Sequence, residues 1–178
     1  QSRGYRDDQR GGVGTVNLVQ AIEMSVNTYF YKLAMDMGID RFSAFMGKFG
    51  FGRPTGIDLI GESSGVLPSR EWKAANLHQP WYPGETVIAG IGQGFWAVTP
   101  LQLAHAIATF AGHGIPYAPR LVMATQQGMD APRKPLPNPP SGPSLIANPA
   151  DWAAVNQGMQ MVIYGAKGTG RTLAAGFP

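Results

Sequence analysis

Apolar side chains recur at helical spacing along several stretches of this sequence, and each stretch ends on a recognisable stop. Residues 17–24 predict a short helix with Leu18, Val19 and Ile22 inward. Residues 28–37 predict a second, with Phe30, Leu33, Ala34 and Met37 on one face and Gly38 as its stop. A third starts at Asp40 as N-cap, carries Phe42, Phe45, Met46 and Phe49, and ends at Gly50. Thr99-Pro100 and Asn148-Pro149 each pair a capping side chain with a proline suited to the first helical turn. The helices they open present Leu103, Ile107 and Phe110 in one case, and Trp152, Val155, Met159 and Val162 in the other. Between the first two helices the apolar pattern is interrupted by Ser25-Val26-Asn27, two polar side chains around one apolar residue.

The remaining segments are turn-rich. IDLI (57–60) and YAPRLVMAT (117–125) read as short strands, and GIGQG (90–94) requires tight backbone. Residues 130–143, DAPRKPLPNPPSGP, hold six prolines and predict a solvated loop or polyproline II connection. GAKGTG (165–170) predicts a glycine-rich loop. No internal repeat is present.

Composition narrows the class. With 178 residues, 44% of them hydrophobic and 14% charged, the chain can bury a core and is not a disordered tail. The 24 glycines and 15 prolines make it loop-rich. A net charge of +3, carried by scattered Lys and Arg, gives no dense basic stripe, so no nucleic-acid partner is expected. The absence of cysteine excludes disulfides and thiolate metal sites. No apolar run approaches the ~20 residues of a membrane span.

Several motifs invite chemistry and fail on context. Gly61-Glu62-Ser63-Ser64-Gly65 fits G-x-S-x-G, but Val66-Leu67-Pro68 blocks the helix that a nucleophile elbow requires. Residues 165–172 nearly match a phosphate-binding loop, with Arg171 where lysine should stand; a nucleotide binder built on them is a rival that ATP-induced stabilisation would reveal. Lys167-Gly168-Thr169-Gly170 is not K-T-G, because its Lys and Thr are not adjacent. His78, His105 and His113 lack metal-ligand spacing. Ser25-Val26-Asn27 admits two readings. Asn27 can simply cap the helix at 28–37, with Ser25 ending the helix before it. Alternatively both face a cleft, the hydroxyl relaying a proton and the carboxamide holding a peptide carbonyl.

The order of longer phrases adds to this. SVNTYFYKLAMDMGID, KFGFGRPTGIDL, GVLPSREWK, PWYPGETVIAGIGQGFWAVTPLQLAHAIATFAGHG and APRLV follow one another. Together they resemble the transpeptidase domain of class B penicillin-binding proteins, and within that family the elongation-specific penicillin-binding protein 2 group. The resemblance runs from about Tyr5 to the C-terminus. The family carries S-x-x-K, S-x-N and K-T-G motifs. Ser25-Val26-Asn27 matches the second, which implies that Ser25 and Asn27 are catalytic-site residues. Ser25 would help pass a proton between the nucleophile's lysine and the leaving amine. Asn27 would hydrogen-bond the acyl-side amide of a stem peptide or a penicillin.

S-x-x-K is absent: Ser43 is followed by Met46, Ser64 by Leu67 and Ser69 by Trp72 at the required spacing. K-[ST]-G is absent as well. The expectation is therefore a single incomplete transpeptidase domain over 1–178, with the nucleophile upstream of Gln1 and the lysine motif beyond Pro178. The implied fold class is α+β: a partial penicillin-binding (serine β-lactamase-like) fold, mainly the helical subdomain with a few short strands. The implied parent is a peptidoglycan D,D-transpeptidase at the periplasmic face of the bacterial inner membrane, anchored by a transmembrane helix outside this chain. Its partners would be stem peptides, β-lactams and membrane proteins of cell elongation. The isolated fragment should be inactive and inclined to self-association through uncovered apolar faces. The rival is a non-enzymatic scaffold module of the cell-wall machinery. Some relatives bind zinc through Asp, His and Cys near this point. YRDDQRGGVG has Asp7 but no His, so neither metal nor cofactor is expected, and Asp7 reads as a solvated charge.

Overall fold

The computed structural model describes residues 4–7 and 11–176. Along the chain they form α1 (Leu18–Glu23), α2 (Asn27–Lys48), α3 (Arg70–Leu77), α4 (Pro83–Ala89), α5 (Pro100–Ala111), β1 (Ala124–Thr125), β2 (Lys134–Pro135), α6 (Pro149–Tyr164) and a 3₁₀ segment (Arg171–Gly176). Two compact units are present. One gathers Gln1–Phe42, Ser69–Gly94 and Asn148–Pro178; the other gathers Ser43–Pro68 and Phe95–Ala147.

In the first unit α1 packs on α6. Asn17 caps α1 reciprocally with Gln20, side chain to backbone in both directions. The approach of the two helices is set by Gly158, where a Cβ would lie 2.7 Å from Ile22 Cδ1 and 2.9 Å from Ile22 Cβ. Gly158→Ala gains up to about 1 kcal/mol of helix propensity but forces the helices apart at a cost of about 1–3 kcal/mol. We expect it to lower the urea midpoint of the chain, with a net loss of about 1–2 kcal/mol; an unchanged or raised midpoint would show that α1 yields freely.

Gly38 does interrupt the long helical run, with φ 72° and ψ 158° inside α2. Asp40, expected to cap the helical stretch after this break, instead accepts from Arg70 Nε at 2.9 and 3.2 Å. The inward faces differ from the sequence expectation in several places. On α1 the buried positions are Ala21 and Glu23, while Leu18, Val19 and Ile22 are half-buried. Leu33 and Phe45 on α2, and Met159 on α6, are exposed.

The second unit corrects the sequence reading further. On α5, Gln102, Ala106 and Thr109 are buried while Leu103 and Ile107 are exposed. The buried stripe is rotated by one residue because the Gln102 amide donates to Arg53 O and Ser64 O, both at 2.8 Å. A buried carboxamide that is satisfied in this way sets the helix face as firmly as an apolar side chain would.

IDLI is not a strand. Asp58 accepts from the Leu121 and Val122 amides at 2.7 and 2.9 Å, and Ile60 is fully exposed. Those bonds, Leu121's foremost, hold the Asp58 carboxyl below its ordinary range. Glu62 accepts from the Thr55 hydroxyl, the Thr55 amide and the Gly56 amide, and is lowered chiefly by the hydroxyl. The segment is thus a loop pinned by two carboxylates. Of 117–125 only Ala124–Thr125 is strand, and its antiparallel partner, Lys134–Pro135, lies inside the proline-rich segment expected to be loop. Residues 61–65 are irregular and lead to an isolated bridge between Val66 and Ala97, so the G-x-S-x-G match has no elbow geometry. His105 is packed against Gly50, its Nδ1 buried.

Candidate functional site

The Ser25-Val26-Asn27 turn lies wholly in the first unit, and its backbone explains its sequence. Met24 caps α1 in the right-handed region, and Ser25 comes next in the left-handed region at φ 56°. The Ser25 amide donates to Ile22 O at 3.2 Å and the Val26 amide to Ala21 O at 2.9 Å. This is the paired hydrogen-bond pattern of a Schellman motif, with Ser25 at the position that glycine usually fills. The apolar residue such a motif calls for is Val26, buried at 1% exposure. Burial of Val26 fixes the turn and leaves its two polar neighbours on either side of it.

Ser25 is exposed and Asn27 half-buried. Among the described residues neither side chain has a hydrogen-bond partner, so a hydroxyl and a carboxamide two residues apart are free for a ligand. A non-glycine residue in the left-handed region costs roughly 1–2 kcal/mol, a cost that is concentrated at functional sites.

Asn27 is the first residue of α2, not a side-chain cap on it. The cap comes from Asp7, whose Oδ2 accepts from the Thr28 amide and the Thr28 hydroxyl, both at 3.1 Å. A carboxylate there also complements the positive end of the helix. Tyr5 packs against Tyr31 at 5.5 Å between ring centroids and holds the same segment to α2. Asp7 is thus a half-buried capping residue rather than a solvated charge. Its neighbours Asp8, Gln9 and Arg10 lie outside the described residues. A cavity of about 410 Å³ runs beside the turn, lined by Val16, Val26, Thr28 and Tyr29 and by the Lys32–Asp36 ion pair at 2.8 Å, but not by Ser25 or Asn27.

Sequence reasoning missed Glu23. It is 7% exposed at the last position of α1, where the helix dipole disfavours an acid. That misplacement was the available signal that a partner compensates it. The partner is the 165–170 loop: Glu23 Oε1 accepts from the Lys167 amide at 2.9 Å, and Glu23 O accepts from the Thr169 amide at 3.3 Å. Two amides that a phosphate nest would need are therefore occupied, and the segment after the loop is 3₁₀ rather than an α-helix.

With the helices, the S-x-N turn and its free side chains in place, the chain can be set beside known proteins. It belongs to the penicillin binding protein transpeptidase domain family, whose pattern it matches over residues 2–177. It is 41% identical to the peptidoglycan D,D-transpeptidase MrdA of Escherichia coli K12 over 174 residues, which is 98% of this chain and 27% of that protein. MrdA of Acinetobacter baumannii is 42% identical, over 96% of this chain and 25% of its own length. Among solved structures, Pseudomonas aeruginosa PBP2 in complex with WCK 5153 superposes with a TM-score of 0.85 at 44% identity, covering 98% of this chain and 39% of that one. PBP2 of Helicobacter pylori in complex with MreC gives 0.76 at 32% identity, over 93% and 29%. The fold is therefore that of part of a penicillin-binding transpeptidase domain: mostly helical, with two short strands among the described residues.

Proposed function

We propose that this chain is one section of a peptidoglycan D,D-transpeptidase and supplies the Ser25/Asn27 edge of its active site, with both packed units part of one transpeptidase domain. The observation that carries the reading is the S-x-N turn itself. Ser25 occupies a strained left-handed position that glycine would fill more easily, and its hydroxyl is unengaged. Retaining a hydroxyl there makes sense when the hydroxyl acts.

The reaction is acyl transfer in two steps. A nucleophilic serine, which we place outside residues 1–178, attacks the carbonyl of the penultimate D-Ala of a stem peptide. The peptide bond breaks and the terminal D-Ala leaves as the amine. Ser25 relays the proton that this amine needs, and the Asn27 amide donates to the acyl-side carbonyl and so orients the donor strand. The acceptor amine then attacks the acyl-enzyme, and the serine leaves with its proton restored. A penicillin acylates the same serine and stays. Neither unit supplies S-x-x-K or K-[ST]-G, so the section should not turn over alone. The same reading places the parent at the periplasmic face of the inner membrane. The solved PBP2–MreC complex of H. pylori supports elongation proteins as its partners.

Labelling by a fluorescent penicillin tests this. The chain extended by its natural flanks should label covalently and the chain without them should not. Label on the short chain would mean that its nucleophile lies within 1–178. Label on neither would favour a scaffold module.

A further inference from the structure

The GAKGTG segment is not a phosphate loop, yet its geometry is strict. The chain folds back around the end of α6: the Gly165 amide donates to Met161 O at 2.9 Å and the Gly170 amide to Val162 O at 2.9 Å. Arg171 Nη1 closes the loop on Ala166 O at 2.8 Å. Glu23, two residues before Ser25, binds this loop twice, through its carboxylate to Lys167 and through its carbonyl to Thr169. The fit leaves no spare room, since a Cβ on Gly165 would collide with Glu23 Oε1. One residue therefore ends α1, precedes the S-x-N turn and fixes the loop beside it.

We propose that Glu23 is a positioning residue for the transpeptidase site. It registers the 165–170 loop against the end of α1, from which the Ser25 turn departs. The proposal rests on the function proposed above, but its geometric half does not. An acid at the negative end of a short helix is unfavourable unless its partner is worth more than the helix loses. A neutral amide, Glu23→Gln, keeps an oxygen acceptor for the Lys167 amide. Glu23→Ala removes it. Glu23→Asp shortens the reach by one methylene and is the milder variant should Glu23→Ala fold poorly.

The experiment uses the full-length parent, with wild type and the three variants. Amide hydrogen exchange at Lys167 and Thr169 reads the loop, and the rate of fluorescent-penicillin acylation per folded molecule reads the site. Glu23→Ala and Glu23→Asp should speed exchange at Lys167 and slow acylation by about tenfold or more, while Glu23→Gln stays within about threefold of wild type on both. A purely structural role would lower the melting temperature without changing acylation of the folded fraction, and that result overturns the proposal. So does unchanged Lys167 exchange in both Glu23→Ala and Glu23→Asp. If wild type itself fails to label, the transpeptidase reading falls and the positioning role falls with it. The exchange data still decide whether Glu23 holds the loop.

Discussion

Replacing Ser25 with glycine should make the fold more stable by about 1 kcal/mol while lowering acylation of the flanked parent about 10²–10⁴-fold. The two effects have separate causes. Ser25 sits at φ 56° in the Schellman position after α1, and removing its Cβ relieves the left-handed strain. The gain is partly offset, because glycine also frees the unfolded chain. The hydrogen bonds of the turn, from the Ser25 and Val26 amides, are backbone bonds and survive the change. What disappears is the hydroxyl, and with it the proton relay. Ser25→Ala is the control: it keeps the strain and loses the hydroxyl, so stability should stay near wild type while acylation falls as far. Urea denaturation of this chain reads the first effect and penicillin labelling of the flanked chain the second. Ser25→Gly labelling at the wild-type rate would remove Ser25 from the reaction. A destabilised Ser25→Gly would mean that the turn is not strained as described.

The break between the first two helices at Ser25-Val26-Asn27 was legible in the sequence because a polar interruption acts locally, and the flanking phrases pointed to the family. The left-handed Ser25 and the cap on α2 from Asp7 rather than Asn27 were not. Gly38, Thr99-Pro100 and Asn148-Pro149 were legible for the same reason, since a stop or a cap acts within a few residues. What failed was non-local. The buried face of α5 is set by Gln102 reaching Arg53 O and Ser64 O, which lie 49 and 38 residues away. The loop at 57–60 is set by Asp58 reaching the Leu121 and Val122 amides, 63 and 64 residues on. Periodicity assumes that apolar residues choose the inward face, and it has no way to weigh a carboxylate or carboxamide that finds backbone partners far along the chain. Glu23 and Lys167, 144 residues apart, are a wider case still.

The largest stability effect should come from a buried charge pair. Lys73 on α3 is 1% exposed and forms an ion pair with Glu85, which sits in the first turn of α4 with 22% of its side chain exposed. Lys73 Nζ also lies 4.4 Å over the Tyr82 ring, and Glu85 Oε2 accepts from the Tyr82 amide at 2.8 Å. Glu85 thus neutralises a buried ammonium and caps its own helix. Glu85→Leu should cost about 3–5 kcal/mol in urea unfolding, because Lys73 loses its carboxylate and stays buried. Lys73→Met should cost less, since Glu85 keeps the Tyr82 amide and partial access to water. The decisive variant is the double one, Lys73→Met with Glu85→Leu, which removes both charges and refills their volume. It should recover most of the loss and show a coupling of about 2–3 kcal/mol between the two sites. Single losses that simply add in the double variant would mean that the two side chains stabilise the unit independently. In that case the link between α3 and α4 would not depend on the buried charge pair, and the Trp81 Nε1 bond to Thr86 Oγ1 would tie only the segment before α4 to that helix.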